Sequence, residues 1–289
     1  MRRLLYWLSR KRFPYEPLIS VTISKQRLLH NLNEFRKLIP HGVIAPVLKS
    51  NAYGHGLLEI ANILKNDPKI PFFVVDSYFE AVALRARGIK KPLLVIGYTR
   101  PRTIIESELR NTAFTITSID TLKALRDVNS TIYVHLKIDT GMRRQGILIE
   151  EVPYAKEILE KNQLISLQGI CTHLCDADNP DETFTEIQTD HWNKVVAEFK
   201  NAFPHIWYFH AAATDGSRLS EDIHANVVRL GIGLYGLTGN EDLNKTLDLL
   251  PVLEMTTIIT GMKMLLRGET VGYGNTFKAE DDLCIATIP

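Results

Sequence analysis

The stretch Val43-Ile-Ala-Pro-Val-Leu-Lys-Ser-Asn-Ala-Tyr-Gly-His-Gly56 decides how this chain is read. An apolar run of strand length ends in a lysine and breaks at once into small residues and glycine. Apolar residues without alternation suit a strand buried on both faces. A lysine is almost never left inside a core without a partner or a task. Two readings are open at this point: Lys49 caps the strand in solvent, or the strand end presents it for chemistry.

Seven further runs of the same texture follow: Phe72–Val75, Leu93–Ile96, Phe114–Ile116, Ile132–Ile138, Leu167–Cys171, Ile206–Phe209 and Val227–Leu230. Between them lie amphipathic segments such as Leu57–Lys65, Tyr78–Arg87, Thr121–Val128, Val152–Lys161 and Glu186–Phe203. Gly88 is a helix stop, and Ser118 is a helix start. Alternating β and α segments imply a parallel sheet, and eight repeats predict closure into a (β/α)8 TIM barrel, an α/β fold. The alternative is an open doubly wound sheet, but no G-x-G-x-x-G follows the first strand.

The texture changes near Thr238. Val252–Thr260, Met264–Leu266 and Leu283–Ile288 read as strands joined by glycine and charged turns. The expected organisation is a basic N-terminal extension over residues 1–18, a barrel over 19–240, and the start of a C-terminal β-rich domain over 241–289. That last piece stops at Pro289 in what reads as mid-strand, so the domain is expected to be incomplete and the chain truncated.

The 289 residues are 45% hydrophobic and 23% charged with a net charge of +1, an ordinary globular composition that gives no reason to expect nucleic acid. No apolar run reaches the roughly 18 residues of a membrane span. The start, MRRLLYWLSRKRFPYEP, has too short an apolar middle for a secretory signal, and membrane contact by residues 1–12 is not expected. Three cysteines, at 171, 175 and 284, read as reduced thiols of a cytoplasmic protein. Cys171, His173 and Cys175 alternate like a metal cluster, yet no fourth ligand accompanies them and no metal is expected.

Barrel sites are built at the C-terminal ends of strands. Lys49 lies at such an end, where partial desolvation turns a lysine into a Schiff-base nucleophile or general base. The loops after the last two strands, His210-Ala-Ala-Ala-Thr-Asp-Gly-Ser217 and Arg229-Leu-Gly-Ile-Gly-Leu-Tyr-Gly236, sit where such barrels bind phosphate. Either they cradle an anion or they are plain tight turns. Strand five places His135, Lys137 and Asp139 on one face, and buried polar groups must pair; Arg144 is the expected partner.

Together these residues resemble the alanine racemase family. Lys49-Ser-Asn-Ala-Tyr-Gly-His-Gly56 is similar to its lysine signature, K-A-N-A-Y-G-H-G. Lys137-Ile-Asp-Thr-Gly-Met-Arg-Arg-Gln-Gly146, Thr172-His-Leu, Val228-Arg-Leu-Gly-Ile-Gly-Leu-Tyr-Gly236 and Val271-Gly-Tyr-Gly-Asn-Thr276 are similar to further family blocks in the same order. The resemblance implies a pyridoxal 5'-phosphate enzyme, an isomerase interconverting L- and D-alanine for peptidoglycan. It implies a homodimer with shared active sites. Lys49 would carry the cofactor and act as one catalytic base. Tyr53 and Thr214, with the amides of Gly231 and Ile232, would hold its phosphate. His173 would stack near the ring, Arg229 would face the ring nitrogen, and Arg144 would hold the phenolic oxygen and the substrate carboxylate. Lys137 matches a lysine carbamylated in some members.

Two departures stand out. Ala213-Thr214 replaces the family's Asn-Ser. The family's second base is a tyrosine in a C-terminal segment that has no counterpart in these residues. Two other readings remain beside the racemase of alanine: a pyridoxal-phosphate carrier barrel, and a racemase for another amino acid such as serine.

Overall fold

The computed structural model describes residues 16–219 and 222–289. The chain divides into two units, Ser24–Val252 and the combination of Met1–Ile23 with Leu253–Pro289.

All eight apolar runs of the larger unit form strands: β1 (Val43–Pro46), β2 (Phe73–Val75), β3 (Leu93–Val95), β4 (Thr112–Ile116), β5 (Ile132–Asp139), β6 (Ile165–Cys171), β7 (Tyr208–His210) and β8 (Val227–Leu230). Strands β2 to β7 are parallel neighbours in sequence order, and β8 pairs in parallel with β1, Val227 opposite Val43. Two seams close the ring. Val47 bridges Val74, and the Leu48 amide donates to the Val74 carbonyl at 2.7 Å. On the other side Asn226 N donates to Phe209 O at 3.0 Å and Arg229 N to Ala212 O at 3.1 Å. The sheet is thus the expected closed eight-stranded barrel. Its interior is packed by Ala45, Val47, Phe72, Val74, Leu94, Ala113 and Val227.

Helices return the chain between strands. Ser77 caps Tyr78–Ala86 in a box with Glu80, which ends before Gly88 at φ +76°. Ser118 accepts from Thr121 N at 3.2 Å and starts Ile119–Ala124, as expected for that residue. A helix not singled out in the sequence, Lys25–Leu38, precedes β1 and buries Leu28, Leu32 and Phe35 along one stripe.

Between Val134 and His135 the β5–β6 register shifts, so that Gly169 rather than Gln168 opposes His135. A Cβ at Gly169 would lie 2.8 Å from His135 Nδ1 and 2.6 Å from the Tyr208 carbonyl. Only glycine leaves room for that imidazole inside the barrel.

In the smaller unit, Ile19–Ile23 pairs antiparallel with Leu253–Thr257, Gly261–Leu265 with Leu283–Thr287, and Thr270–Val271 with Phe277–Lys278. The boundaries therefore differ from those read in the sequence. Residues 19–23, placed there in the barrel, form a ladder with 253–257, and residues 241–252 group with the barrel rather than with the β-rich unit. Asn240 caps Glu241–Thr246 in that segment, and Leu250 N donates to Asn31 Oδ1 at 2.9 Å. Of the expected N-terminal extension, residues 1–15 lie outside the described residues.

Candidate active site

At the C-terminal ends of the strands a cavity of about 680 Å³ opens. It brings together Lys49 and Tyr53 after β1, Lys137 and Arg144 from β5 and its loop, and His173 after β6, while His135 and Asp139, also singled out on strand five, do not line it. Thr214, Arg229, Gly231 and Ile232 complete the opposite side. A larger groove of about 920 Å³ lies around Gly42, Trp207 and Asn226, at the strands' N-terminal ends. The smaller cavity is the candidate site, because barrel chemistry gathers at the C-terminal face and the lysine is there.

Lys49 owes its placement to an unusual backbone. Ser50, Asn51, Ala52 and Tyr53 all have φ of 53–55°, one turn of left-handed helix built without glycine. Each such residue costs about 1–2 kcal/mol relative to a right-handed turn. The turn is held by bonds to residues beyond it: Asn51 Oδ1 accepts from Leu57 N at 2.8 Å, and Asn51 N donates to Glu80 Oε1 at 3.3 Å. His55 closes it, stacked on Tyr235 at 4.4 Å, while Tyr235 Oη donates to Val47 O at 3.0 Å. The reversal folds Tyr53 back so that its ring centre lies 5.9 Å from Lys49 Nζ. Its hydroxyl reaches Gly231, where a Cβ would stand 2.6 Å from Tyr53 Oη. Burial pushes the Tyr53 phenol above its ordinary range.

Thr214, after β7, is buried, and its Oγ1 accepts from Gly233 N at 3.1 Å. Its own hydroxyl proton is thereby left for a ligand. Ile232 opens the short turn Ile232–Tyr235, so its N–H has no acceptor inside that turn. A phenol, a hydroxyl and backbone amides thus converge from β1, β7 and β8.

Arg229 is buried in the floor and saturated with bonds. Its Nη1 donates to His210 O at 2.6 Å and His210 Nδ1 at 2.8 Å. Its Nη2 donates to Thr172 O at 2.8 Å and Ala211 O at 2.9 Å, and lies 3.3 Å from His173 Nδ1. The four terminal hydrogens are spent, and Nε is the remaining N–H, without a hydrogen-bond acceptor among the described residues. Because Nδ1 of His210 accepts, its Nε2 carries the proton and donates to His135 Nδ1 at 2.7 Å. Burial, then the Arg229 charge, drives His135 down to about 3 and His210 well below its ordinary value. His173 also falls to about 3, through burial and then Arg229, Lys137, Arg144 and Lys49. All three imidazoles are neutral near pH 7.

Strand five corrects one expectation. Asp139 does not pair with Arg144: its Oδ1 accepts from Gly141 N at 2.9 Å and Arg143 N at 3.0 Å, shaping the loop that carries Arg144. Lys137 has no ion-pair partner among the described residues. Burial lowers its pKa, Arg229 and Arg144 adding to the effect and Cys171 and Asp139 opposing it. Gln188, which the sequence did not single out, ties down the loop after β6: it donates to His173 O at 3.2 Å and accepts from Cys175 N at 3.0 Å. Lys49, Lys137, Arg144 and Arg229 stand on its walls against Asp76, Asp178 and Asp215, and the excess of cations suits the cavity to an anion.

Fold and site define a (β/α)8-barrel protein with a lysine-bearing, anion-accepting cavity at its C-terminal face. Residues 23–239 match the model of the alanine racemase N-terminal domain. The chain belongs to the alanine racemase family. It is 33% identical to alanine racemase 2 of Oceanobacillus iheyensis over 92% of this chain and 69% of that protein. Among solved structures, an alanine racemase of Clostridium difficile superposes with a TM-score of 0.85 at 28% identity, covering 95% of this chain and 73% of that one. A histidine racemase of Leuconostoc mesenteroides superposes with a TM-score of 0.77 at 27% identity, covering 95% and 74%.

Proposed function

We propose that this chain is a pyridoxal-phosphate-dependent alanine racemase, an isomerase that interconverts L- and D-alanine. The observation that carries the proposal is the convergence of Lys49, Tyr53, Thr214, Gly231 and Arg229 on one cavity. The residues fit the cofactor. The space a Cβ would fill at Gly231, beside Tyr53 Oη, admits a phosphate oxygen against backbone N–H groups.

Bound there, pyridoxal phosphate supplies an electron-withdrawing ring that makes the α-proton of an amino acid removable. The protein's residues do the rest. Lys49 tethers the cofactor and moves the proton at Cα on one face. Tyr53, Thr214 and the amides of Gly231 and Ile232 bind the phosphate. Arg229, with Nε as its remaining N–H, would face the ring nitrogen and, never giving up its own charge, would keep that nitrogen unprotonated and the ring a moderate electron sink. Neutral His173, on the cavity wall, would stack near the ring. Arg144 holds the substrate carboxylate, and Lys137 adds to the field on that side. Inverting Cα needs a second acid/base group on the opposite face. We assign that role to a C-terminal segment of the family contributed by the partner in a homodimer. D-Alanine would then feed peptidoglycan in the cytoplasm, a placement consistent with the free cysteines 171, 175 and 284.

The histidine racemase among the structural neighbours supports testing other amino acids beside alanine. The experiment is chiral analysis of L-alanine, L-serine and L-histidine incubated with pyridoxal phosphate and the chain, alone or extended by the C-terminal segment of a relative. D-Alanine as the main product of the extended chain, abolished by Lys49→Ala, is expected. Cofactor binding without racemisation of any amino acid would replace the enzyme with a carrier barrel.

A further inference from the structure

Thr115 sits in β4, where side chains alternate between the barrel interior and the surrounding helices. Ala113 packs into the interior beside Leu94 and Val227, and Thr115 points the same way one layer higher. It is only 5% exposed, and it lines the candidate active site. Val47, Ile96 and Cys171 line the same cavity, with Lys137 on the adjoining strand. Register places Thr115 opposite His135, two residues before Lys137 on β5.

Its Oγ1 is buried and makes no hydrogen bond among the described residues. A buried hydroxyl without a partner costs about 1–3 kcal/mol. A valine has nearly the same shape and would match Val47 and Ile96 without that cost. Thr99 Oγ1 is also left without a partner, yet only Thr115 faces the cavity.

The charged groups on this side of the cavity fix what Thr115 is suited to meet. Lys137 and Arg144 can only donate when charged. Asp139, the nearest carboxylate along β5, is occupied by two loop amides. Asp76, Asp178 and Asp215 also line the cavity, but none of them bonds Thr115 Oγ1, so the acceptor is assigned to the ligand, and the cations Lys137 and Arg144 favour one that is negative. We infer that Thr115 is a cofactor-binding residue, its hydroxyl donating to the phenolic oxygen of bound pyridoxal phosphate. The inference rests on the cofactor proposed above. The elements that carry Tyr53, Thr214 and Gly231 stand across the ring of strands from β4 and β5, so the cofactor edge opposite its phosphate, which bears the phenolic oxygen, would face Thr115.

The test compares Thr115→Val and Thr115→Ser in the full chain, by titration with pyridoxal phosphate and with 3-deoxypyridoxal phosphate, and by melting without ligand. Thr115→Val is expected to bind pyridoxal phosphate about tenfold more weakly. It should bind the deoxy analogue as the parent does, and melt at or above the parent's temperature. Thr115→Ser should stay within about twofold for both ligands, since it keeps the donor. Unchanged pyridoxal phosphate affinity in Thr115→Val would overturn the inference. So would equal losses for both ligands, which mark a change of shape, or a lower ligand-free melting temperature, which marks a hydroxyl bonded within the protein. If the parent takes up no pyridoxal phosphate, the proposed function itself falls and this inference with it; uptake by the parent that Thr115→Val leaves intact overturns this inference alone.

Discussion

Arg229 and His210 are joined twice, through the Nδ1 atom at 2.8 Å and the carbonyl at 2.6 Å, both from the same Nη1. With the bonds to Thr172 and Ala211, the guanidinium is the knot that fixes the ends of β6, β7 and β8 together. Lysine has one nitrogen and no planar fork, so Arg229→Lys must strand several buried acceptors. At about 1–3 kcal/mol for each unpaired group, a total of about 2–4 kcal/mol is expected, or a fall in Tm of about 4–16 °C. Calorimetry of the variant checks this, and a Tm within a degree of the parent would show that the knot is dispensable.

The same network sets an acid limit. His135 and His173, each depressed to about 3, bind protons in the unfolded chain near pH 6.5 but not in the folded one. A depressed pKa gives stability that is present above the unfolded value and lost as pH falls toward the folded one. Each contributes a loss of about 1.4 kcal/mol per pH unit once below pH 6.5. Urea midpoints measured from pH 8 to pH 4 should be flat at first and then fall steeply below pH 6.5. His135→Phe should flatten that fall while lowering stability at pH 8, because His210 Nε2 loses its acceptor.

Gly231 lies hard against the Tyr53 phenol, so an alanine there is strained by contact. Its Cβ would collide with Tyr53 Oη. Gly231→Ala should weaken pyridoxal phosphate binding by about tenfold or more while leaving the fold intact, and should add little in a Tyr53→Ala background. Fluorescence titration of the two single variants and the double variant checks the coupling; full additivity would place Tyr53 away from Gly231.

The left-handed turn offers a gain. Ser50 is exposed at φ 54°, ψ 50°, where glycine carries no Cβ penalty. Ser50→Gly is expected to raise Tm by about 1–3 °C, the relief of roughly 0.5–1 kcal/mol left after glycine's unfolded-state entropy. Ala83→Gly, within the right-handed helix Tyr78–Ala86, is the control and should cost about 1 kcal/mol.

How much of this was legible in the sequence depended on the range of the forces involved. Buried parallel strands are apolar on both faces, so the runs around Val43, Phe73 and Val227 announced themselves, and eight of them implied closure. Lys49 stood out because it ended such a run. The turn after it did not, since no local rule puts Ser50, Asn51 and Ala52 in left-handed backbone; Asn51's bond to Leu57 and the His55–Tyr235 stack do. The His135–His210 bond joins residues 75 apart and leaves no periodic trace. Asp139 was assigned to Arg144 by charge, yet two amides of its own loop were nearer. Residues 19–23, given no strand, fell within the barrel's expected bounds; their partner, Leu253–Thr257, lies more than two hundred residues on.

The most direct measurement is a peptide map after incubation with pyridoxal phosphate and reduction with borohydride. A single labelled peptide carrying the cofactor on Lys49, lost in Lys49→Ala, is the predicted result. Label on Lys137 or on any other lysine, or no label at all, would contradict the assignment of Lys49 as the cofactor's tether.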